Sequence, residues 1–327
     1  MGDHQQSRSV RSIPWISGIF ERGIENVETV LRELKKVLRE DQIREQEPLS
    51  RHTTFRVGGP ADLFLTPDST QISDVMQILK AHQVSATVIG KGSNLLVGDK
   101  GIRGAVIEFG KQIAQIHVEG SKIMAEAGAA LAAVAQQAYK AGLADMEFAA
   151  GIPGSVGGAL VMNAGAYGGE MKDIVESVKV LSKDGKIMEL SNEQMDFSYR
   201  HSCVTEQEYL VLSAVLKLQQ EEPEKILARM EQLREQRVSK QPLEYPSAGS
   251  TFKRPEGYFA GKLIMDAGLA DYTIGGAAVS KKHCGFVINK GGATAADILA
   301  LIKRVQQVVK EQSGVELEPE VKLIGEF

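Results

Sequence analysis

Residues 150–170 read "AGIPGSVGGALVMNAGAYGGE", with seven glycines between Gly151 and Gly169. Glycine loses more conformational freedom on folding than any other residue, so a cluster of them is costly. A flexible linker would account for the glycines but not for Ile152, Val156, Leu160, Val161 and Met162, which are too apolar for one. The stretch reads instead as folded backbone that something approaches closely. Gly154, Ser155, Gly157 and Gly158 offer bare main chain and a hydroxyl. A helix starting near Ser155 would add its positive N-terminal end to a pyrophosphate. Taken alone, a packed glycine-rich helix crossing would look the same.

A second cluster stands upstream, Gly90-Lys91-Gly92-Ser93-Asn94-Leu95-Leu96, directly after the apolar run "ATVI". A strand followed by a loop of small residues can point backbone N–H groups at an anion. The loop lacks the GxxxxGK[ST] spacing, and Leu95 stands where a GxGxxG fingerprint needs its third glycine. By itself it is also consistent with a plain tight turn. Two such clusters in adjacent units point to one large dinucleotide lying between them.

Hydrophobic periodicity supplies the frame. Val27, Val30, Leu31, Leu34, Val37 and Leu38 form one helical stripe over 24–40. "TTFRVGGPADLFLTPDS", from Thr53, predicts a short strand, a glycine turn, a second strand and a helix capped at Asp68 or Ser69. Ile72, Val75, Ile78 and Leu79 make that helix amphipathic, and "ATVIG" (86–90) and "GAVIEF" (104–109) are buried strands. A second unit follows: strands on either side of Gly120-Ser121, a helix stopping at Gly142, a hairpin turning at Asp184-Gly185, and a long strand over 209–218. Glu221-Glu222-Pro223-Glu224 is charged and proline-broken, and marks a boundary before a helix carrying Ile226, Leu227, Met230 and Leu233. A last helix begins near Thr294 with Asp297 completing a capping box, buries Ile298 through Val309, and ends at Gly314. The expected units are an extension over 1–22, then 23–110, 111–220 and 221–327.

Composition narrows the function. With 327 residues the chain can bury two or three cores, and a net charge of −4 gives no basic excess for phosphate backbones, so no nucleic-acid partner is expected. Cys203 and Cys284 are far apart, which fits two small buried thiols in a reducing compartment. The histidines show no HExxH spacing, and no metal site is expected. No apolar run approaches the ~18 residues that a membrane span needs. "IPWISGIF" (13–20) after Arg8 and Arg11 suggests a signal peptide only faintly, being short and followed by Glu21-Arg22 with no A-x-A-like site. A cytoplasmic protein is the expectation.

Three further spots carry reactive groups. "FSYRHS" sets Arg200 among Tyr199, His201 and Ser202, where it could grip a carboxylate bidentately or sit in a surface ion pair. "PSAGSTFKRP" places Ser250 after Gly249, with Lys253 and Arg254 following, as a ligand-contacting hydroxyl or a simple strand-end turn. No GxSxG surrounds it, so a hydrolase triad has no support. "ELEPEVKLIG" alternates Glu316, Glu318 and Glu320 before an apolar strand; Glu320 could point inward, or all three could be solvated edge acids.

Together, "TTFRVGGPADLF", "GKGSNLLVGDKGIRGAVI", the 150–170 stretch, "FSYRHS", "YPSAGSTFKRP", "GGAAVSKKHCGFVIN" and "LEPEVKLIG" resemble the UDP-N-acetylenolpyruvoylglucosamine reductases, flavoenzymes of bacterial cell-wall precursor synthesis. The resemblance runs in order over about residues 50–327 and leaves 1–22 unmatched. It implies an α+β chain: the two-subdomain FAD-binding fold of the vanillyl-alcohol-oxidase (PCMH) type, plus a C-terminal α+β substrate-binding domain. It assigns Gly90, Lys91, Gly92, Ser93, Asn94 and Leu95 to one wall of a non-covalent FAD site. The other wall would be Gly151, Ile152, Pro153, Gly154, Ser155, Gly157, Gly158, Asn163, Ala164, Gly165 and Ala166, with Arg56 and Val57 also touching the cofactor.

The implied reaction has two steps. NADPH reduces FAD and leaves; UDP-N-acetylglucosamine enolpyruvate then enters and receives a hydride at C3. Charge building on C2 and the carboxylate would be stabilised by Arg200 and Glu320, and Ser250 would protonate C2. Tyr199, Lys240, Lys253 and Arg254 match substrate-contacting positions, Lys240 at the diphosphate. The chain has no room after Tyr199 for the tyrosine-bearing loop of the longer subclass, so it resembles the compact one, in which another group must close the diphosphate pocket. A monomer is expected. Two rivals differ in what they predict: a sugar or alcohol oxidase of the same superfamily would leave Arg200, Ser250 and Glu320 unexplained, and a nucleotide-binding regulator would not turn over NADPH.

Overall fold

The computed structural model describes residues 27–327. The expected extension over 1–22, including the apolar segment 13–20, lies outside the described residues. Helix α1 (Val27–Val37) buries Val30 and Leu34 as its stripe requires. It is followed by β1 (Ile43–Pro48), β2 (Pro60–Leu65), helix α2 (Ile72–Ala81) and β3 (Ala86–Ile89). Strands β4 (Leu95–Val97) and β5 (Ile102–Glu108) complete this region. One sheet runs in the order β1-β2-β5-β3, with β1 antiparallel to β2 and the rest parallel.

Two expectations fail here. Residues 53–57 form no strand, and the partner of β2 is β1, whose sequence "IREQEP" shows mostly exposed polar side chains. Only its pairing, not an apolar pattern, makes it a strand. Helix α2 starts at Ile72 rather than at Asp68, because the Asp68 carboxylate accepts from the Thr70 and Gln71 amides and closes a turn of its own.

The second region carries β6 (Ile116–Glu119), β7 (Lys122–Glu126), α3 (Leu131–Lys140) and the short β8 (Leu143–Ala144). Helix α4 (Val156–Val161), the two-residue strands β9 (Gly165–Ala166) and β10 (Gly169–Glu170), and α5 (Met171–Ile174) follow. Strands β11 (Val175–Leu181), β12 (Ile187–Ser191), β13 (Leu210–Lys217) and β14 (Gln219–Gln220) close it. The antiparallel sheet is ordered β12-β11-β13-β7-β6. Its alternating apolar side chains join those of α1, α2 and the first sheet in one core.

Helix α6 (Pro223–Lys240) begins with proline in its first turn, which suits a position with no intrahelical donor. It packs on α3, β8 and the turn Glu147–Ala149 of the second region. The chain then forms α7 (Ala260–Asp266), the strands β15 (Thr273–Ile274), β16 (Ala277–Val279) and β17 (Val287–Asn289), and α8 (Ala295–Ser313) over them. Thr294 and Asp297 make the capping box of α8, and Gly314 ends it in the left-handed region with φ 72°. Strand β18 (Lys322–Ile324) leaves this unit and pairs in parallel with β4. Among the described residues no helix is long and apolar enough to cross a membrane.

Two polar clamps hold the junctions. Asp99 accepts the amides of Ala295 and Ala296 at 2.8 and 2.9 Å, so a carboxylate after β4 caps the first turn of α8. His52 packs, partly buried, against Phe64, with ring centroids 4.1 Å apart, and its two ring nitrogens each lie 3.0 Å from a carboxylate oxygen of Glu108 or Glu47. Burial alone would disfavour the imidazolium, but the two carboxylates outweigh it and raise the His52 pKa.

Asp99→Ala should lower unfolding free energy by about 1–2 kcal/mol, the worth of a charged cap, read from urea denaturation; a change within error would mean that Thr294 caps α8 unaided. A raised histidine pKa stabilises the fold fully below the ordinary value of ~6.5 and loses that contribution as pH rises through the folded value. The wild-type urea midpoint should therefore fall across that alkaline-going window, and His52→Gln, neutral throughout, should flatten this part of the profile. An unchanged slope in the variant would assign it to other groups.

Candidate active site

The loop from Gly90 to Asn94 leaves the end of β3 and presents its backbone to a cavity of about 1500 Å³. Gly92 has φ 59°, and a Cβ there would lie 2.0 Å from the His52 carbonyl oxygen, so only glycine fits beneath the 52–56 turn. The Thr54 amide donates to Gly92 O and fixes that turn. The opposite wall runs from Gly151 through Ser155 into α4. A Cβ on Gly90 would fall 2.3 Å from the Ser155 hydroxyl, so the two walls meet where one has no side chain. At Gly158 a Cβ would meet only that hydroxyl, at 3.6 Å, which leaves this face bare toward the cavity.

The start of α4 departs from expectation. The Val156 and Gly157 amides donate to Ala129 and Ala127 carbonyls at 2.9 and 2.8 Å. They hold the six-residue helix in place and are not offered to an anion. What the wall contributes is close approach, which the bare glycines allow. The cavity exceeds the roughly 300–1,000 Å³ of a pocket for one small molecule. Apolar Ile89, Leu131, Ile152 and Val161 and polar Ser93 and Thr54 line it. These residues suit a long coenzyme with a flat apolar ring at one end and phosphates at the other, with space for a second ligand.

At one end of the cavity three expected residues converge. Arg200 sits in a tight turn closed by the Ser198–His201 bridge, in the left-handed region with φ 56°. Its Nε donates to Glu320 Oε1 at 2.6 Å, and its guanidinium lies over the Tyr199 ring. Burial raises the Glu320 pKa and outweighs the opposing charge of Arg200. Glu318 and Glu316, by contrast, reach solvent and pair with Lys253 and Lys310. A regular strand would set residues 316, 318 and 320 on one face, so it is the irregular path of this segment, with a bend at Val321, that sends Glu320 alone into the cavity. Ser250 follows Gly249, whose φ of 74° turns the chain, and it is exposed to the cavity. The Glu320 amide donates to Thr251 O at 2.8 Å, which sets Ser250 beside Glu320.

The cavity is lined by Arg56 (φ 57°), by all of Gly90–Leu95, and by Gly151–Ser155, Gly157, Gly158, Ala164, Gly165, Ala166, Arg200, Ser250 and Glu320. Val57 and Asn163 stand behind the wall. Val57 packs with Phe55 and Leu96, and the Asn163 side chain donates to Glu170 and to Ser198 O, bracing the Arg200 turn. Tyr199, Lys240, Lys253 and Arg254 also lie outside the lining. The Arg254 amide donates to the Tyr199 hydroxyl, its guanidinium covers Phe259 at 4.1 Å, and Lys240 is exposed at the end of α6.

Sequence reasoning missed Lys322, Arg237 and Gln241, which line the cavity. Lys322 stands two residues after Glu320, at the start of β18, a spacing present in "EVKLIG". Burial, then nearby Lys253, lowers its pKa. Gln241 buries an Oε1 that has no partner. Arg237 could not be told from an exposed helical arginine before α6 was placed.

Residues 61–191 match the family of FAD binding domains, and residues 241–324 match the C-terminal domain of UDP-N-acetylenolpyruvoylglucosamine reductase. The UDP-N-acetylenolpyruvoylglucosamine reductase of Agathobacter rectalis is 55% identical over 92% of this chain and 99% of its own. That of Caldanaerobacter subterraneus subsp. tengcongensis is 51% identical over 91% of this chain and 99% of its own. The crystal structure of UDP-N-acetylenolpyruvylglucosamine reductase from Thermus caldophilus superposes with a TM-score of 0.75 at 36% identity, covering 86% of this chain and 99% of that one. With near full-length relatives above half identity, two matching domains and this shared architecture, the chain belongs to the UDP-N-acetylenolpyruvoylglucosamine reductase family.

Proposed function

We infer that this protein reduces UDP-N-acetylglucosamine enolpyruvate to UDP-N-acetylmuramate with NADPH, as a step in peptidoglycan precursor synthesis. The observation that carries this reading is the meeting of Arg200, Glu320 and Ser250 at one end of a cavity walled by two glycine segments. Non-covalent FAD, when bound, supplies the hydride chemistry that links NADPH to the enolpyruvyl C3. The residues to hold it are Arg56, the Gly90–Leu95 loop and the Gly151–Ala166 wall, with Val57 and Asn163 supporting from behind.

The chain's own groups do the rest. Negative charge that builds on C2 and the carboxylate needs a fixed cation, and Arg200 is held ready by its bond to Glu320. Glu320, buried enough to keep its proton above the usual carboxylate range, can share that proton with the developing enolate. Ser250 donates a proton to C2. A serine hydroxyl is a weak acid, and the neighbouring positive charge of Lys322 and Lys253 stabilises the oxygen once the proton has left. Lys240, Tyr199, Lys253 and Arg254, which lie outside the cavity lining, are assigned to the sugar nucleotide as it enters.

The working division is an extension over 1–22, cofactor-holding units over 23–110 and 111–220, and a substrate unit over 221–327 whose first helix, α6, roofs the cavity. A cytoplasmic monomer suits an enzyme whose two substrates are water-soluble nucleotides.

The purified protein should be yellow, and NADPH consumption should depend on the enolpyruvyl sugar nucleotide; consumption indifferent to the sugar would sink the reading. In Ser250→Ala, NADPH should still bleach the flavin at the wild-type rate in a stopped-flow trace, while product formation falls by about two to four orders of magnitude. Slowed bleaching would instead place Ser250 in cofactor binding. Arg200→Lys keeps a charge but loses the fork, so kcat should fall about a hundredfold or more with little change in flavin content; near wild-type kcat would remove Arg200 from the chemistry.

A further inference from the structure

Helix α6 turns Leu227, Met230, Arg234 and Arg237 toward the cavity, at the three- and four-residue spacing of one helical face, and Gln241 follows just past its end. Most of this face is ordinary roofing. Arg237 is different. It is half-buried and lies flat on Gly151: a Cβ at Gly151 would come within 3.1 Å of Arg237 Cδ and 3.3 Å of Nη1. A side chain at the start of the glycine wall would press on the arginine, which packs closely over the bare backbone there.

Among the described residues no carboxylate pairs with Arg237. Burial lowers its pKa, and the ionisable group acting against that is the phenol of Tyr167. A guanidinium drawn out of water without a counter-charge destabilises a fold. Such a residue is understandable where a ligand brings the missing negative charge. The planar fork of arginine matches phosphate oxygens two at a time. Arg234, exposed on the same face one turn earlier, adds positive charge at the mouth. Lys240, one turn later, stands at the position expected to meet a diphosphate. The neighbouring Gln241 Oε1, buried and unpartnered, is a further polar group facing this end of the cavity.

We propose that Arg237 binds a diphosphate, closing the pocket between α6 and the Gly151–Gly158 wall. The proposal rests on the functional reading above. The same chemistry is carried by the sugar nucleotide, by FAD and by NADPH, and the measurements separate them. In purified flavoprotein, Arg237→Met is compared with wild type by thermal shift with added UDP, by titration of FAD through the fluorescence of released flavin, and by KM for the sugar nucleotide and for NADPH. Loss of one such contact should weaken one ligand by about ten- to a hundredfold, with Arg237→Lys recovering part of it. Loss confined to UDP protection and the sugar-nucleotide KM assigns that ligand; loss confined to FAD or to NADPH assigns the coenzyme instead. Wild-type affinity for all three, with or without a lowered melting temperature, overturns the proposal and makes Arg237 a packing residue. If Arg237→Met does not fold, Arg237→Lys, which keeps charge but not the fork, decides by the same criteria. A wild-type protein that takes up no flavin, or oxidises NADPH regardless of the sugar, would instead refute the functional reading.

Discussion

The Ser155 hydroxyl occupies the space that Gly90 leaves by having no side chain, and the site depends on that contact. It is the point at which the loop after β3 and the segment before α4 touch, and those two come from parts of the chain some 60 residues apart. A Cβ at Gly90 would force that hydroxyl to swing away, since Ser155 Cβ itself stands 3.4 Å off. The same logic recurs around the cavity: Gly92 yields to the His52 carbonyl and Gly151 to Arg237. Each glycine marks a place where something else must come close, and only some of those neighbours are ligands.

The third side of the site comes from distant sequence. Strand β18 pairs with β4, so Lys322 faces Leu95, and the Lys322 amide donates to Asn94 O at 2.9 Å. Asn289 reaches back to the Phe55 carbonyl at 3.0 Å. These bonds seat the last unit against the first glycine wall and bring Glu320 to Arg200, which arrives from the second unit. The end of the cavity where Arg200 meets Glu320 is therefore built from distant parts of the chain. Burial there is also what sets the proton affinity of Glu320 and of Lys322.

Much of this was legible in the sequence because local rules dominate there. Thr294, Asp297 and Gly314 fixed both ends of α8, Asp184-Gly185 fixed the β11–β12 hairpin, and the "ATVI" run followed by small residues placed the first wall. What escaped notice was tertiary. Strand β1 has a polar face that only its neighbour organises. Asp68 spends its carboxylate on a turn before α2. The first amides of α4 bond the 127–129 turn, which no periodicity shows. Arg237 and Lys322 look like solvated surface charges until α6 and β18 are in place. Val57 and Asn163 belong to motifs that line the site, yet their side chains support it from behind.

Arg56, Tyr167 and Arg200 all line the cavity with left-handed backbone, at φ 57°, 54° and 56°. For residues with a Cβ this conformation costs about 1–2 kcal/mol each. The wall is therefore held under tension that the surrounding cores supply. Glycine at any of the three would relax the main chain while deleting the group that faces the ligand. Replacements chosen for heat tolerance alone would favour glycine at these positions and so strip the cavity of three of its polar side chains.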